Sequence, residues 1–283
     1  MEITDTIRII LSDIDGTLLP FQGKDLTRTV DLAGELIAAG IDFVLCTGRG
    51  TGTIPKPFWK IRGLRYAVTG NGAMVWDLQK NVVLRERRIA PKTAKTIIRA
   101  GRAFGIACSG YQHGHSYVDT ACPMPPYGDN VAMNNWLRNA RSHDLISLIN
   151  RHGPMDKLLL FDPDAGRRNE CRKMLQTLPG CADLNYAESG VNALEISAGG
   201  ATKGEAAEWL AGHLGFSRAD ILACGDNDND VSMLKIAGAA VVPSDGHPAA
   251  RAAASVIVPP PSEDGVENWL EQLLHGQQSA LCR

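Results

Sequence analysis

Five acids and amides follow the apolar start of the segment ILACGDNDNDVSML, residues 221–234. Such residues are typical of a polar turn, a calcium loop or part of an active site. The common twelve-residue calcium loop has Gly at its sixth position and Glu at its twelfth. Counted from Asp226, those positions hold Val231 and Ala237, and the segment that begins at Asp13 fails in the same way. Neither segment is therefore predicted to be a calcium loop.

Three nearly continuous apolar runs end in polar side chains: IRIILSD at Asp13 with Asp15 just beyond, IDFVLCT at Thr47, and ADILACGD at Asp226. Runs of this kind are typical of parallel strands that are buried on both faces. Ligands of open parallel sheets bind beyond the carboxyl ends of the strands, so we expect these four side chains to face one space. Carboxylates this close together repel unless a cation is present, and ligands that offer only oxygen suit Mg²⁺ rather than zinc.

Helical patterns separate these runs. The segment DLTRTVDLAGELIAAG spaces its apolar residues as one face of a helix and stops at Gly40. In TKGEAAEWLAGHLG, Thr202 is expected to be the N-cap, and Gly215 ends the helix. Strand, helix and strand in this order predict right-handed βαβ units in a doubly wound α/β fold with a parallel sheet.

The middle of the chain has a different pattern. A helix is predicted from Pro91 to Phe104, followed by the strands GIACSG, HSYVDT, DKLLLFDP and VNALEIS and by a helix around AGRRNECRKMLQTL. The Pro- and Asn-rich segment ACPMPPYGDNVAMNN interrupts this series. The mixture predicts an inserted α+β domain at residues 87–188, between the two parts, 1–86 and 189–283, of a Rossmann-like parallel-sheet core.

Four short motifs occur in a fixed order: DIDGTLL at Asp13, TGR at Thr47, TKG around Lys203 and GDNDND at Asp226. In this order they resemble the motifs of the haloacid dehalogenase superfamily of phosphohydrolases. The segments TGNGAMVWD and LEIS, the latter leading into TKGEA, are similar to its Cof-type subgroup of sugar-phosphate phosphatases. The resemblance implies a Mg²⁺-dependent phosphatase that hydrolyses a small phosphorylated metabolite, such as a sugar phosphate, with the inserted domain acting as a cap over the active site.

The resemblance and the chemistry of phosphate esters indicate four catalytic residues. Asp13 is expected to attack phosphorus and form an aspartyl-phosphate, and Asp15 to act as general acid and then as general base. The Thr47 hydroxyl is expected to donate to the phosphoryl oxygens. Lys203 is expected to pair with Asp13 and to place a positive charge near a helix N-terminus.

The other expected site residues hold the metal or the substrate. Mg²⁺ is expected to be bound by Asp13, by the backbone carbonyl of Asp15 and by Asp226, with Asp230 as an outer partner of the metal or the lysine. The residues expected to bind phosphate or substrate are Gly48, Arg49, Asn71 and Asn229. Arg49 and Asn71 fit a structural role equally well, and Asp228 is left outside the mechanism.

The inserted domain offers only weak candidates. His113 and His115 indicate the tip of a hairpin more than a metal site, because only two ligands lie near each other in the sequence. Tyr111, Tyr117 and Glu188 fit a surface that faces the substrate, exposed surface or the core of the domain equally well.

After Val242 the sequence departs from the subgroup, which usually has a Gly–Asn–Ala turn at this point. The residues here are Ser244, Asp245, Gly246 and His247. They are expected to alter contacts near the site. The chemistry is unaffected by this departure, but the subgroup's substrates cannot be carried over to this chain.

Two other functions use the same kinds of residue. A phosphomutase or phosphotransferase would pass the phosphoryl group to an alcohol instead of water, and the motifs do not separate transfer from hydrolysis. A non-enzymatic protein that responds to phosphate is the third interpretation. The presence of Asp15 and Lys203 together with a sizeable cap argues against it, because a switch needs neither a general acid nor a lid.

The bulk composition excludes several other classes. The chain has 44% hydrophobic and 21% charged residues, as soluble globular proteins do. Its net charge of -2 predicts no positive electrostatic potential that would attract nucleic acid or an acidic membrane. The cation-rich segment 85–102 is predicted to be a solvated helix face. The seven cysteines are scattered without a C-x-x-C pair, which predicts neither disulfides nor a zinc knuckle. No apolar stretch is long enough for a signal peptide or a membrane span, so we expect a cytoplasmic protein. We also expect it to be a monomer or a small homo-oligomer.

Overall fold

The computed structural model describes residues 7–122, 140–189 and 192–281. The chain divides into two compact units, of which the first contains residues 1–48, 54–85 and 202–283 and the second residues 49–53 and 86–201. The second unit is therefore inserted in the sequence of the first. The predicted interruption ACPMPPYGDNVAMNN lies outside the described residues from Pro123 onward.

The strands of the described residues are β1 (Ile9–Ser12), β2 (Asp42–Cys46), β3 (Tyr66–Thr69), β4 (Met74–Asp77), β5 (Val82–Glu86), β6 (Ala107–Gln112), β7 (His115–Asp119), β8 (Arg141–His143), β9 (Lys157–Phe161), β10 (Asn185–Ser189), β11 (Ala193–Ser197), β12 (Ile221–Cys224), β13 (Ala239–Pro243) and β14 (Val256–Val258). The α-helices of the described residues are α1 (Thr27–Ala38), α2 (Pro91–Phe104), α3 (Leu145–His152), α4 (Ala165–Gln176), α5 (Lys203–His213), α6 (Val231–Ile236), α7 (Pro248–Ala252) and α8 (Gly265–Leu281).

The first unit is built on one eight-stranded sheet with the order β14-β13-β12-β1-β2-β3-β4-β5. Neighbouring strands are parallel from β14 to β3, whereas β4 is antiparallel to β3. Two hydrophobic cores cover the two faces of this sheet. One includes Leu36 of α1 and Leu270 of α8, and the other includes Leu210 of α5 and Leu234 of α6. Burial on both faces explains why the strand sequences are continuous apolar runs.

Local signals for two helices are confirmed. The Thr202 hydroxyl caps α5 by accepting a hydrogen bond from the Glu205 N–H at 3.1 Å. Helix α2 begins at Pro91 and ends before Gly105, which has the left-handed φ of 71° that favours glycine. These positions follow from side-chain chemistry within one turn, so the sequence alone predicts them.

The second unit contains a six-stranded sheet with the order β10-β11-β9-β6-β7-β8. Its pairs are antiparallel apart from β7 with β8, and residues of α2, α3 and α4 pack in its core. A two-residue turn, His113 and Gly114, joins β6 to β7. Both residues have positive φ, at 50° and 77°, which is the geometry of a tight hairpin turn. The hairpin tip expected from the sequence is therefore present.

The second unit extends further along the chain than the sequence indicated. The sequence predicted that residues 189–201 belong to the first unit. In the structure β11 pairs with β9 in the second sheet, with Leu194 opposite Leu160. An apolar strand pattern does not identify the sheet in which the strand will pair, which explains the difference. Residues 49–53 also belong to the second unit, where the Gly52 N–H donates to the Gly114 carbonyl at 3.1 Å.

The cation-rich segment 85–102 is only partly a solvated face. Arg102, at the end of α2, donates two hydrogen bonds of 2.7 Å to the buried carboxylate of Asp119 and one of 2.7 Å to Asp144. The expectation of a solvated side chain is wrong for this residue. The partners come from distant parts of the sequence, so the local charge pattern did not reveal them.

Two broad expectations concern membranes and disulfides. Among the described residues, no helix combines the length and the apolar character needed to cross a membrane. The six cysteines in the described ranges are free thiols.

Candidate active site

The carboxyl ends of three adjacent strands form the floor of the site. In the register of β12, β1 and β2, Ser12 lies beside Cys224 on one side and Leu45 on the other. Asp13 comes directly after β1, and its N–H donates to the Cys224 carbonyl at 2.9 Å. Asp226 and Thr47 follow β12 and β2, so the three polar side chains emerge at one edge of the sheet.

Lys203 connects the first residue of α5 to this edge. Its Nζ lies 2.8 Å from Asp13 Oδ1 and 2.6 Å from Asp230 Oδ1, and the lysine is fully buried. Burial by itself lowers the pKa of Lys203, but the carboxylates of Asp13 and Asp230 outweigh it and raise this pKa above its ordinary value. The lysine is therefore a fixed positive charge in the site.

Asp13 is the acid at the centre of the cluster. Burial raises its pKa well above the ordinary value, Lys203 opposes this, and the charges of Asp230 and Asp226 add to the increase. Lys203 engages Oδ1, whereas Oδ2 has no hydrogen-bond partner among the residues that the structure describes. One oxygen of Asp13 is thus held and the other is available.

Asp226 is fixed from the β1 side. Thr17 donates its hydroxyl proton to Asp226 Oδ1 at 2.7 Å. Gly16 has a φ of 81°, and a Cβ at this position would collide with the Asp226 carboxylate. Burial, followed by the negative charge of Asp230, raises the pKa of Asp226 to about 7, although the bond from Thr17 opposes this. Glycine at position 16 is needed both for its backbone conformation and for the space that it leaves.

Asp230 uses both of its oxygens. Oδ1 accepts from Lys203, and Oδ2 accepts from the N–H groups of Asp226 and Asn227, each at 3.0 Å. It is fully buried. These bonds tie the lysine and the loop after β12 to one carboxylate, which makes Asp230 a positioning residue.

The donor set fits a divalent cation. Asp13, Asp226 and Asp230 offer carboxylate oxygens that all lie within 4.8 Å of one another. With the charge of Lys203 included, the four ionised groups carry a net charge of about -2, which a divalent cation would balance. Burial is the main cause of the raised pKa values of Asp13 and Asp226, and the negative charges of the neighbouring acids add to it. Oxygen ligands of this kind suit hard divalent cations.

A second group of residues follows β2 and β3. The Asn71 N–H donates to the Thr47 carbonyl at 3.1 Å, and Asn71 itself has a left-handed φ of 57°. Asn229 Nδ2 donates to Asn71 Oδ1 at 3.0 Å. A Cβ on Gly48 would lie 2.8 Å from the same Asn71 oxygen, so a larger residue would displace the asparagine. The structure therefore brings together Thr47, Gly48, Asn71 and Asn229.

Three other sequence-predicted residues have different local surroundings, and the charge of Asp15 adds to the increase in the pKa of Asp226. Asp15 is half-buried and forms an isolated bridge with Leu19. Arg49 is grouped with the second unit, where its guanidinium donates to the Thr53 carbonyl at 2.8 Å. Asp228 is exposed, in agreement with its omission from the mechanism.

The weak candidates of the second unit have structural partners. Tyr117 is part of the core of that unit, and Glu188 accepts from Arg168 Nε at 2.8 Å. Tyr111 lies under the ammonium group of Lys157, 4.9 Å from the ring centroid. His113 Nε2 lies 3.4 Å from the His152 carbonyl.

Sequence reasoning missed the contribution of Thr17. It noted the residue in the motif DIDGTLL but gave it no role, because its partner, Asp226, lies 209 positions further along the chain. Ser232 was missed for the same reason, and its hydroxyl accepts from the Gly204 N–H at 3.0 Å beside Lys203. The sequence signal available was the presence of hydroxyl residues inside or next to motifs that already carried acids.

The departure after β13 lies against the site. The His247 N–H donates to the backbone carbonyl of Asp226 at 2.7 Å, and the Gly246 N–H closes the turn onto the Pro243 carbonyl at 3.0 Å. The His247 side chain caps the short helix α7 through Nδ1, which accepts from the Ala249 N–H at 3.3 Å. The turn is therefore attached to the main chain of Asp226.

Comparison with known proteins places these observations in a family. The family pattern of haloacid dehalogenase-like hydrolases matches residues 10–270. Pyridoxal phosphate phosphatase YbhA of Escherichia coli is 25% identical over 277 residues, which cover 94% of this chain and 98% of the relative. HMP-PP phosphatase of Cronobacter sakazakii is 26% identical over 254 residues, which cover 83% and 84% of the two chains.

Solved structures share the fold. A sugar phosphatase of haloacid dehalogenase subclass IIB superposes with a TM-score of 0.75 at 19% identity, covering 94% of this chain and 98% of its own. The fold class expected from the sequence, an α/β core with an inserted α+β unit, is confirmed. Because the family pattern spans residues 10–270, the chain belongs to the haloacid dehalogenase-like hydrolases and is a phosphatase of that family.

Proposed function

We propose that this phosphatase uses Mg²⁺ to hydrolyse the phosphate monoester of a small metabolite through an aspartyl-phosphate on Asp13. The observation that carries the proposal is the buried cluster in which Lys203 holds one oxygen of Asp13 beside the carboxylate of Asp226. The names of the two relatives specify pyridoxal phosphate and HMP-PP as their substrates. Sugar phosphates, the class expected from the sequence, are the first compounds to test.

The residues proposed to hold the metal are Asp13, Asp226 and the backbone carbonyl of Asp15. Asp230 is assigned to Lys203 and to the loop after β12, because both of its oxygens already accept hydrogen bonds there. When bound, Mg²⁺ supplies positive charge that screens the repulsion between the Asp13 carboxylate and the phosphate dianion.

In the first step, Asp13 acts as the nucleophile. Lys203 retains Oδ1, and Oδ2 attacks phosphorus while the bond from phosphorus to the leaving-group oxygen breaks. The products are an acyl phosphate on Asp13 and an alkoxide. Asp15, in its protonated form, gives its proton to that alkoxide and releases an alcohol.

In the second step, Asp15 acts as a base. It takes a proton from a water molecule, whose oxygen attacks phosphorus as the bond from phosphorus to Asp13 Oδ2 breaks. Inorganic phosphate leaves, the Asp13 carboxylate is restored, and Asp15 is protonated for the next cycle. Its half-buried position leaves it open to solvent on one side, as both proton transfers require.

The phosphoryl oxygens need donors as charge develops on them. The Thr47 hydroxyl and the Gly48 N–H are proposed for this role, since they follow β2 at the same edge as Asp13. The pair of Asn71 and Asn229 supports Gly48 by occupying the space beside its Cα.

The proposal is tested by the release of inorganic phosphate from a panel of sugar phosphates, pyridoxal phosphate and an aryl phosphate. Each compound is assayed with Mg²⁺ and with a chelator, and Asp13→Asn is the matched variant because it keeps the size of the side chain. We expect release that requires both Mg²⁺ and Asp13. Phosphate release that persists in Asp13→Asn refutes the assignment of Asp13 as the nucleophile. Phosphate release that is unaffected by the chelator refutes the requirement for Mg²⁺. Phosphate appearing only without an alcohol acceptor identifies a phosphotransferase.

A further inference from the structure

A cavity of about 160 Å³ lies beside the carboxylate of Asp226 in the first unit. Its wall includes Gly16, Asp226 and Asp245 together with the polar residues Gln22 and Ser262. This volume accommodates several water molecules, and Pro20, Phe21 and Pro261 complete the wall beside its polar residues. The cavity thus extends the acidic cluster towards the turn that departs from the family pattern.

The backbone holds this turn firmly against Asp226. The His247 N–H donates to the Asp226 carbonyl at 2.7 Å on one side, and the Ser244 N–H donates to the Val258 carbonyl at 2.8 Å on the other. Asp245 lies between these two attachment points. These two backbone hydrogen bonds therefore hold the main chain of Asp245 near Asp226, and the side chain of Asp245 is not needed for this.

Asp245 is an exposed acid in the turn between β13 and α7. It makes no hydrogen bond or ion pair with any residue in the described ranges, and the neighbouring His247 ring uses Nδ1 to cap α7. In contrast, both oxygens of Asp230 are engaged. Asp226 and Asp245 are the two acids that line this cavity, and their negative charges repel each other unless a cation lies between them.

We propose that Asp245 is an outer carboxylate of the metal site, which accepts hydrogen bonds from the water ligands of a divalent cation held at Asp13 and Asp226. This inference rests on the proposed function. Mg²⁺ retains several of its waters when it binds to protein, and partners of those waters set the affinity of the site. Asp245 is the unengaged carboxylate of the cavity wall beside Asp226.

The competing explanation is that Asp245 acts only through its charge at a distance. Asp228 provides the matched control, because it is an exposed aspartate near Asp226 that does not line the cavity. Removing either charge changes the long-range field in a similar way. Truncation to alanine at position 245 also removes a hydrogen-bond acceptor from the cavity wall, whereas truncation at position 228 removes one outside the cavity.

The experiment is a calorimetric titration of Mg²⁺ into the full-length protein after removal of metal with a chelator. Wild type, Asp245→Ala and Asp228→Ala are compared at about 0.15 M salt, and thermal unfolding of each metal-free protein verifies the fold. We expect Asp245→Ala to weaken Mg²⁺ binding by about 10-fold and Asp228→Ala by less than about 2-fold.

Equal affinities of the two variants overturn the assignment of Asp245, while Mg²⁺ binding to the wild type leaves the proposed function standing. A wild-type protein that binds no Mg²⁺ overturns the metal part of the proposed function and this inference with it. Phosphate release is not the readout, so a failure of substrate choice does not affect the result.

Discussion

Lys203 Nζ and Asp13 Oδ1 lie 2.8 Å apart in a pair that is almost completely removed from solvent. Asp13 directly follows strand β1, and Lys203, 190 positions later in the chain, is the first residue of α5. A buried pair of this kind is stable only when both charges are present, because each compensates the desolvation of the other. Burial raises the pKa of Asp13, and Lys203 opposes that increase and so favours the ionised acid.

Replacing Lys203 should destabilise the protein. Lys203→Met leaves Asp13 and Asp230 buried without their cation, and we expect the free energy of unfolding to fall by about 3–5 kcal/mol at pH 7.5. The loss should shrink near pH 5, where Asp13 can take up a proton. Urea unfolding followed by circular dichroism measures both values. The double variant Asp13→Asn with Lys203→Met is the control and should lose less than Lys203→Met alone; a larger loss would argue against the coupling.

Gly16 should be required for the position of Asp226. Gly16→Ala adds a Cβ that collides with the Asp226 carboxylate, so Mg²⁺ binding measured by calorimetry should be lost. Gly23→Ala is a matched control, since Gly23 has a similar φ of 78° but open space around its Cα. Both variants should lose about 1 kcal/mol of stability through the positive φ. Equal Mg²⁺ affinities in the two variants would show that Gly16 serves only the backbone.

Thr17 should contribute to metal affinity through Asp226. Thr17→Val keeps the shape of the side chain but removes the donor that lies 2.7 Å from Asp226 Oδ1. We expect Mg²⁺ affinity to fall by about 10-fold, the lower end of the range for partners of metal ligands. Thr17→Ser retains the hydroxyl and should keep most of the affinity. If serine and valine weaken Mg²⁺ binding equally, the hydrogen bond is not the cause.

The stabilisation by Mg²⁺ should depend on pH. Burial, then the charge of Asp230, raises the pKa of Asp226 to about 7, whereas an unfolded aspartate ionises near about 4. In the metal-free protein the stabilising contribution of protonated Asp226 is complete below about pH 4 and is lost as the pH rises through about 7. Mg²⁺ binds the ionised form, so the increase in Tm caused by Mg²⁺ should grow between about pH 5 and pH 8.

The corresponding measurement is thermal unfolding with chelator and with Mg²⁺ across this pH range. Asp226→Asn removes the titrating group and should abolish the pH-dependent increase. A wild-type Tm shift that is constant from pH 5 to pH 8 would contradict the role of Asp226.

The sequence predicts best where neighbours along the chain determine the structure. Continuous apolar runs predicted the parallel strands, and their polar ends predicted which side chains would emerge beside Asp13. The N-cap at Thr202 depends only on residues within one turn. Three features depend instead on residues that are distant in sequence, and no local pattern identifies such partners. They are the pairing of β11 with β9, the ion pairs of Arg102 and the hydrogen bond from Thr17 to Asp226.

The central claim, that Asp13 is phosphorylated during turnover, can be tested directly. The wild-type protein is mixed with Mg²⁺ and a hydrolysed substrate, quenched in acid within the first turnovers, digested, and examined by mass spectrometry. We predict that the peptide containing Asp13 gains the mass of one phosphoryl group at that residue, and that Asp13→Asn does not. Phosphate release without any phosphorylated Asp13 peptide, or a phosphoryl group found on Asp15 or Asp226 instead, would contradict the account.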